Sequence, residues 1–154
     1  MSLSLIAALI LAPPIQIKND YRINQLRDLK KTTVKIGKHA FSCWIADDTS
    51  KRTEGMMFLT AKEVKANEGM IFVHPNPQPL SFWMKNTLIG LDIAFIRKDG
   101  TIVSTHTMKA LDETGVPSGG PATYALEVKA GTFKKLGIKK GMKAKIDPKL
   151  VAKG

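Results

Sequence analysis

Six side chains have the chemistry and the spacing to build one site: Arg52, Trp83, Lys85, Asn86, Asp92 and Glu127. Four of them fall within residues 83–92, where polar groups interrupt two apolar runs. Exposed polar groups on a hydrophobic scaffold are what a binding site needs. If residues 82–85 are extended, Trp83 and Lys85 share one face and Phe82 and Met84 the other. An indole wall beside an ammonium suits a small anionic or polar ligand. The plainer alternative is a lysine stem lying along the indole. Lys85 and Asp92 flank a turn seven residues apart, close enough to pair across it. Asp92 is either a group that caps this loop or a site residue. A second chemistry uses Asp92 and Glu127 as the acid and base of a hydrolase or lyase, with Lys85 or Arg52 tuning them. The pattern leaves the catalytic residues unknown.

Other chemistries are poorly served. His39, His74 and His106 lack ligand spacing and Cys43 is the only cysteine, so no metal site is expected. There is no GxGxxG, P-loop or GxSxG pattern, and no cofactor is expected. A lone cysteine forms no internal disulfide, and Cys43 beside Trp44 reads as a buried, inert thiol. Met56 and Met57, next to Phe58 and Leu59, read as core filler rather than soft metal ligands.

The elements that must position these residues are short. Residues 32–36 and 39–46 alternate and are joined by Gly37-Lys38, which predicts a hairpin. Asp47-Asp48-Thr49-Ser50 offers N-caps for a short helix ending at Gly55. Thr60 to Glu63 has capping-box spacing for one more helical turn. Residues 69–73 have strand length and full apolarity. His74-Pro75-Asn76-Pro77-Gln78-Pro79 predicts an extended surface loop, since proline lacks the N–H that a sheet interior uses. Residues 91–97 and 101–108 form a second hairpin about Asp99-Gly100. Residues 111–122, with three glycines and two prolines, predict a mobile loop. Residues 123–129 alternate as a strand, residues 131–136 fit a helical turn or two ended by Gly137, and Met142 to Ile146 form a last strand. The fold class is therefore mainly β: one compact, antiparallel-rich sandwich or barrel-like domain with one to three short helices.

The 154 residues suit one such domain over residues 32–154. Residues 1–31 read as a signal-like remnant followed by an N-terminal arm. Residues 2–12 are apolar and uncharged, too short for a bilayer helix but similar to a secretory core. Export to the periplasm or cell envelope is the expectation; the alternative is a cytoplasmic protein that packs this run as a strand or helix. Net charge is +11. Nine lysines from Lys129 onward face Asp147 alone, and Phe133 is the one aromatic among them. That end predicts a solvated basic face with weak polyanion binding, and no specific nucleic-acid partner.

Several runs are shared with a known family. Arg52-Thr53-Glu54-Gly55-Met56-Met57, Glu68-Gly69-Met70-Ile71-Phe72, Phe82-Trp83-Met84-Lys85-Asn86-Thr87 with Leu91-Asp92-Ile93, Tyr124-Ala125-Leu126-Glu127, and Gly137-Ile138 before Gly141 follow one another over roughly residues 33–147. Together they resemble domain-of-unknown-function family 192. The resemblance implies a compact, mostly β fold with short helices, often behind a signal or anchor. It implies no established activity, cofactor or catalytic residue. It gathers Arg52, Trp83, Lys85, Asn86, Asp92 and Glu127 as one expected site, because each falls within the shared motifs. The function expected is an exported module that binds a small anionic or polar ligand or a cell-envelope component.

Overall fold

The β-branched alternation of Lys31–Ile36 (β1) turns at Gly37-Lys38 into His39–Ala46 (β2), the hairpin expected from the sequence. The structure is a computed structural model and describes residues 18–154; the signal-like run 2–12 and Pro13-Pro14 lie outside the described residues. Asp48 Oδ1 accepts the Lys51 N–H at 2.9 Å and caps α1 (Thr49–Glu54), which Gly55 ends. The chain then crosses over and enters β3 (Glu68–Phe82) parallel to β2. Parallel neighbours need such a crossover, and here it is short and lies on one face of the sheet. Within it, the Glu63 carboxylate takes the Thr60 N–H and hydroxyl, so the capping-box pair closes a turn rather than starting a helix.

β4 (Leu91–Ile96) and β5 (Ile102–Met108) form the second hairpin, where Asp99 Oδ1 accepts the Thr101 N–H at 2.8 Å. β6 (Val116–Lys129) runs antiparallel between β3 and β4. α2 (Thr132–Leu136) and β7 (Ala144–Lys145) complete the order β5-β4-β6-β3-β2-β1-β7. The sheet curls until its edges meet, with Ile102 N–H on the Met142 carbonyl and Ala144 N–H on the Gly100 carbonyl at 2.9 and 2.8 Å. Gly100 is required at this seam: its φ is +89° and a Cβ would strike the Ala144 carbonyl.

The curl creates two apolar layers. Val34, Ile36, Cys43, Ile71, Leu126, Val128 and Phe133 fill the inner one. Trp44, Met70, Phe72, Ile93 and Phe95 face outward, where Met56, Leu59, Val64 and Met84 cover them. Both faces of β4 are buried, so it reads as a near-continuous apolar run in sequence. Cys43 lies in the inner layer, and burial pushes its thiol up to about 12, in keeping with an inert thiol.

Two loop expectations are corrected. Residues 74–79 continue β3, and residues 116–122 are the first half of β6; the two pair beyond a bulge as a long ribbon. The prolines fit because of where their nitrogens face. Leu80 N–H points toward β6, donating to Ser118 Oγ at 2.9 Å. By strand alternation the nitrogens of Pro77 and Pro79 face the opposite edge, where no ladder hydrogen bond is lost. Ser118 Oγ in turn donates to the Gly120 carbonyl at 2.7 Å, fixing the glycine-rich bulge of β6 opposite Leu80.

The described part of the N-terminal arm is fastened to the crossover. The Arg22 side chain is 1% exposed and donates to the carbonyls of Gly55 and Met57. Its guanidinium lies 3.5 Å from the Glu54 carboxylate, which accepts the Ile23 and Asn24 N–H groups at 2.7 and 2.8 Å. Leu26 and Leu29 pack on the outer layer. The arm thus braces α1 and the turn after it, a role that its linker-like composition does not show.

Candidate functional site

Register decides which side chains meet. Along one row of the sheet, His106 of β5 lies opposite Ile93, Ile93 opposite Glu127, and Glu127 opposite Met70. All four therefore share the outward face. Asp92 lies in the next row, opposite Thr107 and Val128, on the inward face. Asp92 Oδ1 accepts the Thr107 hydroxyl at 2.7 Å, and Oδ2 accepts the Phe133 N–H at 2.8 Å. It is 1% exposed and ties β4 to β5 and to the first turn of α2. Asp92 and Glu127 project to opposite faces, and the paired-carboxylate arrangement of a hydrolase or lyase is absent.

Glu127 instead forms the floor of a cleft of ≈ 300 Å³ on the outward face. One wall is the end of α1 and the following turn: Arg52, Thr53, Gly55, Met56 and Met57. The other is β3 and its continuation: Phe72, His74, Phe82 and Trp83. Phe72 and Phe82 meet edge to face with centroids 4.9 Å apart. Gly69 lets β3 approach β6 beneath this floor, since a Cβ there would run into the Glu127 carbonyl. The cleft is thus a product of the parallel crossover, which lays α1 against the sheet.

Its electrostatics follow from burial. Glu127 is 4% exposed, and desolvation pushes its carboxyl up to about 8; among the described residues no cation or hydrogen-bond donor opposes it. At neutral pH it is mostly the un-ionised acid. Burial, and then the Arg52 charge, hold His74 below the usual histidine range, and its Nε2 is buried with no partner. The Arg52 guanidinium is anchored by the carbonyls of Val73 and Asp47 at 3.0 and 3.1 Å, and by Thr49 Oγ1 and the Gly154 oxygen, each at 3.2 Å. Glu54 also touches the cleft, but Arg22 balances it.

The six residues expected to form a site therefore divide. Arg52, Trp83 and Glu127 line the cleft. Lys85 is exposed, with its ammonium 5.2 Å from the Trp83 ring centroid, and makes no pair with Asp92. Asn86 is exposed and left-handed at φ 55°, and its carbonyl accepts the Phe58 N–H at 2.8 Å. Asp92 is on the other face. The cleft also uses His74, Phe72 and Phe82, which the sequence reading left out. Phe72 and His74 share strand parity, a signal that assigning the proline-rich run to a loop concealed.

Among the described residues no group of three metal-ligating side chains is present, and no helix is long and apolar enough to cross a membrane.

Residues 32–146 match the family model described as Uncharacterized ACR, DUF192. The chain is similar to a crystallised protein from Sinorhizobium meliloti described as a candidate transcription regulator. The two share 33% identity and a TM-score of 0.73, over 76% of this chain and 94% of that one. It is also similar to a crystallised protein of unknown function from Novosphingobium aromaticivorans. There the identity is 32% and the TM-score 0.74, over 81% of this chain and 91% of that one. No curated protein matches.

Proposed function

The chain belongs to this uncharacterised family, and on that premise we propose that it is a binding module for a small anionic or polar ligand. The observation that carries the reading is Glu127, a buried carboxyl with no partner at the floor of an aromatic-walled cleft. The polar atom fully buried without a partner at this cleft is His74 Nε2, whose lost hydrogen bond costs about 1–3 kcal/mol that a bound ligand offsets. Trp83 at the mouth is 49% exposed and supplies a flat surface for the ligand body. Export remains part of the proposal and rests on the signal-like composition of residues 2–12.

The test uses 1-anilinonaphthalene-8-sulfonate, a fluorescent probe with an anionic head and an aromatic body. It should bind one to one, and Thr53→Trp, which fills the mouth from its exposed side, should weaken it by about tenfold or more. Absence of saturable binding to the folded wild type would sink the reading.

A second reading, weak polyanion binding, is favoured by one feature of register. Lys35 of β1 and Lys145 of β7 are direct cross-strand partners, both exposed, and like charges so placed repel. Lys38, His39 and Lys135 line a separate depression of ≈ 510 Å³ that has no acidic side chain. Heparin retention should fall linearly on a log–log salt plot, and Lys35→Glu with Lys145→Glu should shorten it clearly. Unchanged retention in the double variant would remove this surface from consideration.

A further inference from the structure

We propose that one end of the molecule docks on a phospholipid membrane, inserting the apolar tips of neighbouring turns. Among the described residues six large apolar side chains are exposed, and five of them lie on these turns. They are Tyr21, Ile23, Trp83, Leu88 and Leu111, from 49% to 85% exposed. Single exposed apolar side chains are ordinary on any surface, whereas a cluster marks a place of contact. Hydrogen bonds gather the turns. Leu91 of β4 lies opposite Met108 of β5, and the Leu111 N–H donates to the Thr87 carbonyl at 3.0 Å, so Leu88 and Leu111 are neighbours. On the other side of the 83–88 turn, the Phe58 N–H donates to the Asn86 carbonyl. The Tyr21 ring centroid is 6.0 Å from that of Phe58, and Asn19 Nδ2 donates to the Phe58 carbonyl at 2.9 Å. Ile23 follows Arg22, whose guanidinium is fastened to the same turn.

The backbone indicates that an apolar tip is kept for contact rather than for folding. Leu111 has a φ of 63° and Phe58 one of 62°, the left-handed region that glycine and asparagine occupy readily and bulky side chains avoid. Leu111 is 59% exposed, so burial does not offset that strain. Lipid is favoured over a second copy or another protein by the form of the patch. A stable protein interface needs a continuous complementary face of about 800 Å² per partner. These tips stand on separate turns, and a fluid lipid boundary admits them one by one. The chain preceding Lys18 also joins the fold here, through Asn19, and it carries the uncharged apolar run 2–12. On the turns themselves Lys18, Lys62, Lys85 and Lys109 face Asp20, Glu63, Asp112 and Glu113, so apolar insertion supplies the hold. The Lys85 ammonium beside the Trp83 ring suits the level where acyl chains meet headgroups. Attraction to anionic headgroups comes from the lysine-rich segment that starts at Lys129, which adjoins the patch through the Ala130 N–H on the Gly90 carbonyl at 3.0 Å.

The test mixes the full chain with vesicles of phosphatidylcholine and phosphatidylglycerol whose acyl chains are partly brominated. Bromine quenches an indole only on contact. Trp83 should be quenched and Trp44, 5% exposed, should not, so Trp83→Phe should abolish the quenching. Leu88→Ser with Leu111→Asn leaves the Trp83 reporter in place and should lower vesicle partitioning by about tenfold or more. The double variant should melt no lower than the wild type, because asparagine suits the left-handed turn. Vesicles without phosphatidylglycerol should bind more weakly but still quench Trp83. Vesicle-bound chain with Trp83 unquenched would show that residues outside the patch hold the membrane, and would overturn the proposal. Equal partitioning of the double variant, or no partitioning of the wild type, would overturn it too. Dimers in sedimentation velocity that the double variant loses, with Trp83 unquenched by lipid, would assign the patch to a second copy instead.

Discussion

Replacing Glu127 by Gln should flatten the dependence of stability on pH between about 4.5 and 8. In the wild type the folded state keeps the Glu127 proton to about pH 8, whereas the unfolded chain releases it near 4.5. Between those values the folded state binds more protons, so stability falls as pH rises. It is fully present below 4.5 and lost once pH passes 8. Each pH unit is worth about 1.4 kcal/mol, so the whole window amounts to roughly 4–5 kcal/mol, a large share of a domain's stability. His74 works the other way. Its folded value is depressed, so its contribution grows as pH climbs to the ordinary histidine value of 6.5. The wild-type decline should therefore be clearest above 6.5. Urea midpoints over a pH series should show that decline in the wild type and not in Glu127→Gln. Parallel profiles would mean that Glu127 is solvated or paired.

The second large effect is expected at Asp92. Asp92→Ala removes the acceptor for the buried Phe133 N–H and should cost roughly 2–4 kcal/mol, because an orphaned donor loses its full solvation. The Thr107 hydroxyl suffers less, since that residue is exposed and can turn to water. Asp92→Asn keeps one acceptor oxygen and should cost less than the alanine. In both variants the affinity of anilinonaphthalene sulfonate should stay within about twofold of wild type, because Asp92 and the cleft are separated by the sheet. Unchanged stability together with lost probe binding would contradict the register of β4 against β6.

Local signals carried much of the fold. The hairpins about Gly37-Lys38 and Asp99-Gly100 and the Asp48 cap were legible because each is settled by neighbours in sequence. The parallel β2–β3 pair was not, because nothing in a short apolar run states the direction of its partner. The candidate site split on the same point. Glu127 and Asp92 looked equivalent as polar residues in apolar strands. Which face each takes depends on how β4 lies against β6, and a slip of one residue would exchange them. Arg52 and Trp83 were legible from type and motif, whereas His74 was hidden by a rule about proline applied without asking which way the nitrogens face. Arg22, the buried brace of the crossover, gave no signal, because its partners are mostly carbonyls scattered along another segment.

The proline ribbon also governs what other copies of the chain can do. Beyond Phe72, β3 has no β2 partner, and past Val73, whose carbonyl Arg52 covers, its outer edge is unpaired by any strand among the described residues. An open strand edge templates the addition of a foreign strand, the first step toward fibrils and domain exchange. Here Pro77 and Pro79 turn donor-free nitrogens to that edge, so an incoming strand finds carbonyls without the alternating N–H groups that complete a ladder. Pro77→Ala with Pro79→Ala would restore those donors without touching the β6 side. The double variant should nucleate thioflavin-positive aggregates at protein concentrations where the wild type stays clear.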